Sequence, residues 1–417
     1  MYGVMRCDVS KHVSVSASVS QGGYFSQLRN TKKSSQRLKE ALMESELALP
    51  LCLLMAQQRN CVVFHEGSLV KHLKLVGKLY DQCQDHWCTY VTFLASQLSS
   101  AELWRRCYLH SINSCHDYNI SAERFQPVRG RPSIQPLIIQ RYDELKKIDR
   151  RDKTKDKDKD AALALKALRY VGAVDAVMAP VISSITPVFP QKIWDDFSAQ
   201  FYVTFWSLTM YDLHVPTAAY EREIQKLKSM LLAIEDNKDL AQSKKKKEKE
   251  RCVALMDKLG DEQRKQQDHR SRVMHRLSNE KDNWFYPRTT KNEMITQFLQ
   301  LCVFPRCCFT ANDALYCAKF MHTIHILKTP NFSTLICYDR IFCDITYTVA
   351  SCTENEASRY GRFLCAMLET VMRWHSCRDV FEKSTIYMEE VDPVDLVERW
   401  KRWILLILLK DGRGGSC

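Results

Sequence analysis

The sequence predicts an all-α protein: an elongated α-solenoid of stacked helical hairpins that includes one long, charged helical pair. Glycine and proline number only 12 each among 417 residues, below the usual shares of about 7% and 5%. A sandwich or barrel would need turn residues roughly every 8 to 12 positions. Apolar residues instead recur at helical spacing without a fixed repeat period, and no such helix can bury its apolar face alone.

The first helical pattern covers residues 36–58, with leucines on its apolar faces. Pro50 should kink this helix or begin a second one, because proline is tolerated in the first turn of a helix but not in its interior. Three later helix starts carry a Ser or Thr followed three residues on by Glu, the capping-box pattern. They are Ser99 with Glu102, Thr290 with Glu293, and Thr353 with Glu356.

Residues 150–160 alternate lysine and aspartate and hold no apolar side chain. Such a segment cannot contribute to a core, so we predict a solvated linker or a frayed helix end between a helical region at 22–149 and a second one that begins at 161. In the second region an alanine- and leucine-rich helix is expected at 161–177. Pro180, Pro187 and Pro190 should end it before an aromatic segment.

That aromatic segment places Phe197, Phe201, Phe205 and Leu208 on one predicted helical stripe. Together with Tyr202 and Trp206 the rings could stack on bases, but no lysine or arginine is interleaved with them, so we favour a role in the core. Residues 220–284 then predict two long charged helices that could form an antiparallel hairpin, with apolar residues at Ile224, Leu227, Leu231 and Ile234. Further helices follow at 294–374, divided at Phe304–Pro305, Thr329–Pro330 and 351–355.

No Walker A loop, dinucleotide fingerprint, zincin, nucleophile-elbow or EF-hand pattern occurs, which argues against the common enzymes. The best metal-like group comprises Cys302, Cys307, Cys308, Cys317, His322 and His325. Its spacings do not match structural zinc sites, and buried thiols are the favoured interpretation. We therefore expect no metal and no cofactor.

Cysteine nucleophiles could be sought in three neighbourhoods: Cys83 or Cys88 with His86, Cys115 with His116 and Asp117, and Cys377 near His375. Catalytic partners usually meet in space rather than in sequence, so we favour packing or surface positions for all of them. The carboxylate pairs Asp195 with Asp196 and Glu389 with Glu390 are expected at helix starts or on solvated faces. The sequence predicts no enzyme.

The strongest electrostatic feature is a run of six basic residues. We call it the basic run, and it comprises Lys244, Lys245, Lys246, Lys247, Lys249 and Arg251. It could neutralise phosphates without reading sequence, contact an acidic partner, serve as a nuclear import signal, or simply be a solvated face. The net charge of +12 favours polyanionic partners at long range. The 18 cysteines lack a C-x-x-C pair, so reduced thiols are expected. The longest strongly apolar run, at 404–409, is too short to span a bilayer.

Several long strings resemble the family of the large scaffold subunit of the THO complex, the nuclear assembly that packages messenger RNA for export. The strongest are KTPNFSTL from Lys328 and YTVASCTENEASRYGRFLC from Tyr347. Others are LALPLCLLMAQQRN from Leu47, KHLKLVGKLYDQC from Lys71, RYDELKK from Arg141, FWSLTMYDL from Phe205, KKKKEKERC from Lys244 and FPRC from Phe304.

The resemblance runs from about 22 to about 384 and assigns 161–384 to part of the family's C-terminal helical region. Residues 1–21 look like a divergent leader and 385–417 like a divergent tail, so we expect a truncated or alternative form. The resemblance implies a nuclear, non-enzymatic scaffold of the THO/TREX assembly in mRNA export. The implied partners are the other THO subunits, the nuclear DEAD-box RNA helicase of export, and mRNA through basic segments, without a membrane. A stand-alone basic helical RNA- or DNA-binding protein is the alternative.

Overall fold

A computed structural model describes residues 22–66, 73–99, 134, 137–147, 159–236, 242–287, 291–343 and 345–376. The first four helices are α1 (Gly22–Glu44), α2 (Ala48–Glu66), α3 (Leu73–Gln97) and α4 (Lys159–Ile185). The next five are α5 (Gln191–Trp194), α6 (Ala199–Ser207), α7 (Met210–Leu213), α8 (Thr217–Asp236) and α9 (Gln242–Glu280). The last six are α10 (Lys291–Phe298), α11 (Phe304–Cys307), α12 (Ala311–Ile326), α13 (Thr334–Cys343), α14 (Ile345–Ala350) and α15 (Glu354–Ser376).

The all-α prediction is confirmed, because the described part of the chain contains helices and no strand. A single isolated bridge pairs Phe197 with Phe285. Antiparallel hairpins are present where α2 packs on α3 and α8 packs on α9. The further stacking of such hairpins into an elongated solenoid stays a prediction.

Helices α2 and α3 form an N-terminal unit around the buried residues Ala56 and Trp87. Pro50 lies in the first turn of α2, so the interpretation of Pro50 as the start of a second helix is confirmed. Buried Arg59 lies over the Trp87 ring at 4.9 Å and donates to Gln84 Oε1 at 2.6 Å. The free-energy cost of burying this guanidinium is therefore offset by a hydrogen bond and by contact with the face of an aromatic ring.

Helix α4 corrects one prediction, because it continues through Pro180 to Ile185. Pro180 and Ala176, the residue whose carbonyl loses its amide partner, are both exposed, so water can satisfy that carbonyl. Pro187 instead lies in the short 3₁₀ turn that follows, and Pro190 caps α5. The two later prolines therefore divide the chain as predicted.

The stretch Leu165–Val188 is also long and apolar enough to cross a membrane by length and composition. It is not a run of consecutive apolar residues, because Lys166, Arg169 and Asp175 interrupt it. One face of this helix, which includes Tyr170, Val174 and Met178, is buried in the main core. Core helices commonly share this property, so it is weak evidence for a span.

The main core, here called the aromatic body, joins α4–α7, the second half of α9 and α10–α15. The predicted stripe residues Phe201, Tyr202, Phe205 and Trp206 are all buried in it, which confirms their packing role. The rings of Phe205 and Phe320 meet edge-to-face at 5.0 Å. Phe197 is buried too, but it precedes α6 instead of lying on the predicted helical stripe.

Arg306 is the most buried charge of the aromatic body, with no exposed surface. Its guanidinium donates to the carbonyls of Phe205 and Leu208, pairs with Asp313 at 3.1 Å and lies 3.5 Å from the centre of the Tyr316 ring. These contacts link α11 and α12 to the end of α6. A buried charge is tolerated here because the two carbonyls at the end of α6 and the Asp313 carboxylate all accept from it.

The predicted charged hairpin is confirmed as α8 and the 39-residue α9. Its own small core contains Tyr220, Leu227, Cys252 and Leu259, and Ile224, Leu231 and Ile234 pack against it. We call α8 with the first half of α9, up to Leu259, the hairpin arm. The second half of α9 belongs to the aromatic body instead, through Val273 and Leu277.

The divisions predicted at Thr329–Pro330 and 351–355 fall between helices, and Phe304–Pro305 begins α11 after a π-helical turn at Leu299–Val303. The capping box at α15 is confirmed: Thr353 N–H donates to Glu356 at 3.1 Å, and Glu356 N–H donates to Thr353 Oγ1 at 3.3 Å. Glu102 and Thr290 lie outside the described residues, as does most of the predicted linker at 150–160. The helix that follows the linker begins at Lys159.

Candidate nucleic-acid or acidic-partner interface

The basic run lies in the first three turns of α9, at the distal end of the hairpin arm. Lys244, Lys246, Lys247 and Arg251 are exposed, whereas Lys245 and Lys249 are half-buried. Because these residues share one helix end, their charges are concentrated on a surface that water and a ligand can both reach. The placement of the six residues is compatible with each interpretation offered above.

Two cations of the basic run contact the end of α8. Lys249 pairs with Glu235 at 2.8 Å, and Lys245 Nζ donates to the Glu235 carbonyl at 3.4 Å. The Lys249 ammonium accordingly lowers the pKa of Glu235. Lys244, Lys246 and Lys247 have no ion-pair partner among the described residues, so their charge is available to an anion.

The Cys and His residues considered for metal binding lie within the aromatic body, where the sulfurs of Cys307 and Cys308 are 4.0 Å apart. Cys302, Cys307, Cys308 and Cys317 are buried, as predicted. Burial raises the pKa of the Cys307 thiol, which disfavours the thiolate that a metal or a nucleophilic reaction requires. Within the described ranges, no group of three or more His, Cys, Asp or Glu side chains is arranged to hold a metal ion.

The cysteine nucleophile candidates gain no activating partner in the described part. Burial raises the pKa of Cys88 to about 11, so its thiol stays protonated near neutral pH. Cys115, His116, Asp117 and Cys377 lie outside the described residues, as do Glu389 and Glu390. Neither carboxylate begins a helix: Asp195, the C-cap of α5, is on an exposed position as one of the two alternatives predicted, whereas Asp196 is buried and fits neither.

The structure contains a cavity that the sequence did not predict. It has a volume of about 300 Å³ and lies beside the π-helical turn, between α10, α13 and α15. Its walls include Phe304, Ile341 and Phe363, and its one charged lining residue is Arg340. The sequence holds no signal for this cavity, because its walls come from segments whose packing is not encoded by local periodicity.

The fold and the basic run define an all-helical protein with an exposed, cationic helical arm. Its residues 194–402 match the model of the Tho2 family, described as transcription factor/nuclear export subunit protein 2. This match covers half of the chain, and the chain belongs to the Tho2 family. The matched range extends past residue 384, the predicted end of the resemblance.

Curated relatives named THO complex subunit 2 agree with this assignment. The proteins from Dasypus novemcinctus and Homo sapiens are each 56% identical over 364 residues, which is 87% of this chain and 22% of theirs. The protein from Arabidopsis thaliana is 35% identical over 373 residues, 86% of this chain and 20% of its own length. The chain therefore spans about a fifth of the length of these relatives.

Proposed function

We propose that the chain is a non-enzymatic scaffold element of the THO/TREX assembly in the nucleus and acts in co-transcriptional mRNP assembly and mRNA export. The observation that carries this proposal is its membership of the Tho2 family, since the similar proteins are named as subunits of the THO complex. Its proposed partners are other THO subunits and the nuclear DEAD-box RNA helicase of export. mRNA would be contacted indirectly or through basic segments.

The structure supports a binding role in two ways. The aromatic body supplies a rigid base, because its large rings are interlocked and its buried charges are paired. The hairpin arm presents exposed charge on an extended surface, as a helix that binds partners through one face would require. Stacked hairpins of this kind would offer elongated docking surfaces.

Affinity capture tests complex membership. The tagged full-length chain, expressed in cells and recovered from nuclear extract, should retain THO subunits and the export helicase in mass spectrometry. A matched chain carrying Arg306→Ala, which is expected to destabilise the aromatic body, should retain fewer. Recovery of no THO subunit by the intact chain, verified as folded by circular dichroism, would contradict the proposal.

The alternative function, a stand-alone RNA- or DNA-binding protein, is favoured by the exposure of the basic run and the net charge of +12. Replacing Lys244, Lys245, Lys246 and Lys247 by glutamine should then weaken binding to single-stranded RNA and reduce its salt dependence. A control variant replaces four exposed lysines elsewhere, Lys32, Lys33, Lys166 and Lys192, and has the same net charge. Equal losses in the two variants would show that the basic run has no specific role.

A further inference from the structure

The cavity beside the π-helical turn combines apolar walls with a single cation. Its volume is about 300 Å³, and Phe304, Ile341 and Phe363 contribute apolar walls from three different helices. Arg340, on α13, also lines it, and none of its lining residues is an aspartate or a glutamate. A cleft with apolar walls and a few convergent polar groups is typical of a ligand-binding pocket.

Arg340 is the cation at this cavity, and its guanidinium is not engaged within the described part of the chain. The side chain is exposed and makes no ion pair or hydrogen bond with any described residue. Arg359 on α15 differs, because it pairs with Asp85 at 3.0 Å. A guanidinium carries five N–H donors in a planar fork that fits a carboxylate. Arg340 is therefore available to an acidic group of a ligand.

Polar groups at the cavity can satisfy the backbone of a bound chain. Ser351 Oγ donates to the Thr348 carbonyl at 2.8 Å, so its proton is used and its lone pairs remain to accept an N–H. The exposed side-chain amide of Gln300, which bonds to no described group, offers both a donor and an acceptor. An extended peptide presents N–H and C=O groups in alternation, which suits this mixture of donors and acceptors.

Helix α14 adds an exposed apolar surface next to the cavity. Its sequence is ITYTVA, yet none of its residues is buried. Tyr347 is 81% exposed and Val349 is 40% exposed. Thr348 of the same helix and Ser351 directly after it both line the cavity. Apolar surface of this kind beside a cavity is typical of a region that another molecule covers.

We propose that the cavity and helix α14 together form a docking site for an acidic peptide segment of a protein partner. The segment binds in an extended form, inserts one aromatic or leucine side chain into the cavity, and pairs a neighbouring carboxylate with Arg340. A large side chain held in a pocket is the usual anchor of such an interface. This proposal goes beyond the scaffold role, because it names a site and a ligand chemistry and does not require membership of the THO complex.

Charge favours a peptide over RNA as the ligand. A strand of RNA carries a phosphate on every nucleotide and is usually held by several cations. Arg340, in contrast, is the only charged residue that lines the cavity. The aliphatic side chains of Ile345 and Val349 are stabilised by contact with other apolar groups and gain nothing from a phosphate. At long range the net charge of +12 attracts an acidic segment.

The test uses fluorescence anisotropy of the full-length chain with three fluorescein-labelled peptides. GSDELFDEGS carries the apolar anchor between acidic residues, GSDEASDEGS lacks the anchor, and GSKKLFKKGS reverses the charge. The first peptide should bind about tenfold more tightly than the second, because it buries a large apolar side chain. The second peptide measures any binding of acidic charge by the basic run. The third peptide should bind the most weakly.

Two variants and a matched control locate the site. Arg340→Gln should weaken binding of GSDELFDEGS about fivefold, because a charge-assisted pair is lost. Ser351→Phe, which adds a ring at an exposed edge of the cavity, should weaken binding at least as much. Arg272→Gln removes the same charge from an exposed position on α9 and should bind like the parent chain. Peptide binding should also slow hydrogen exchange in α14 of the parent chain.

Several outcomes would overturn the proposal. Equal affinities for the first two peptides would show that the cavity takes no anchor. Equal affinities of Arg340→Gln and Arg272→Gln would show that Arg340 has no specific role. Displacement of the peptide by oligouridylate at equal charge concentration, with slowed exchange retained in α14, would assign the site to RNA instead. Circular dichroism verifies folding, and Arg340→Gln, at an exposed position, carries the test if Ser351→Phe does not fold.

Discussion

The aromatic body and the hairpin arm share helix α9, yet different interactions hold them. In the aromatic body, α9 is fixed by Val273 and Leu277 within a large aromatic core. In the hairpin arm it packs against α8 across a narrow apolar seam with charged outer faces. The comparison indicates that one helix can serve as a rigid core element at one end and as a charged binding surface at the other.

The largest expected effect tests the rigidity of the aromatic body. Arg306→Ala removes a buried charge and leaves Asp313 and the Phe205 carbonyl without their donor. It should lower the free energy of unfolding by about 3 to 5 kcal/mol in urea titrations. Arg264→Ala, at an exposed position on α9, should leave it close to the parental value. Similar losses in both variants would show that burial of Arg306 does not account for its contribution.

The second prediction concerns the seam of the hairpin arm. Leu227→Ala creates a cavity at a residue that is only 3% exposed and should cost about 2 to 3 kcal/mol. Because this seam is separate from the main core, hydrogen exchange should accelerate in α8 and early α9 and stay slow in α12. Leu232→Ala, at a 62% exposed position on the same helix, is the matched control. Uniform acceleration across both regions would show that arm and body unfold as one unit.

The third prediction concerns a cap that one helix provides for another. Asp81 on α3 accepts from Thr353 Oγ1 at 2.6 Å and from Asn355 N–H at 3.1 Å at the start of α15. Asp81→Ala should destabilise this junction by about 1 to 2 kcal/mol, as loss of a helix cap does. Faster hydrogen exchange at the start of α15 would report this loss of stability. Asp85→Ala, which removes the more exposed pair with Arg359 and a 3.4 Å hydrogen bond from Asn355 Nδ2, should have a smaller effect.

The fourth prediction uses pH to separate the two regions. Because the pKa of folded His322 is about 4 and its ordinary value is 6.5, the unfolded chain binds this proton first as pH falls. His322 therefore costs stability progressively between pH 6.5 and about 4. In His322→Gln the stability of the aromatic body should fall less steeply over that range. The effect should be below that of Asp81→Ala because water reaches part of the ring. The variant His275→Gln, at an exposed position, should keep the parental slope of unfolding free energy against pH.

The smallest expected effect lies in the hairpin arm. Lys249→Gln removes the pair with Glu235, whose two side chains are 38% and 54% exposed. Exposed pairs contribute little and are screened by salt, so the unfolding midpoint should not change measurably. A clear loss of stability that disappears at high salt would show that the basic run has a structural role.

Local patterns predicted much of this fold. The low glycine and proline content, the helical spacing of apolar residues and the Thr353 capping box each matched a described feature. The continuation of α4 through Pro180 was missed, because an exposed proline can be accommodated where water replaces the lost hydrogen bond. The position of Phe197 before α6 was not predicted, because it depends on a backbone bridge to Phe285, a residue far along the chain.

Polar contacts also differed in how far the sequence predicted them. The basic run was visible in sequence because its six residues are contiguous within three helical turns. The contact between Asp81 and Thr353 was not, because the two residues are 272 positions apart in the chain. No local pattern marks Asp81 as different from any other aspartate on an amphipathic helix.

The sequence alone determined the helical class, the charged hairpin and the Tho2 family, because these depend on composition, on a period of 3.6 residues and on long contiguous strings. Only the tertiary structure decided which polar groups meet, as at Asp81 with Thr353 and at Arg306 with the Phe205 carbonyl. The physical reason is that helix periodicity specifies which face of an element is buried. The way distant helices cross specifies which side chains become neighbours.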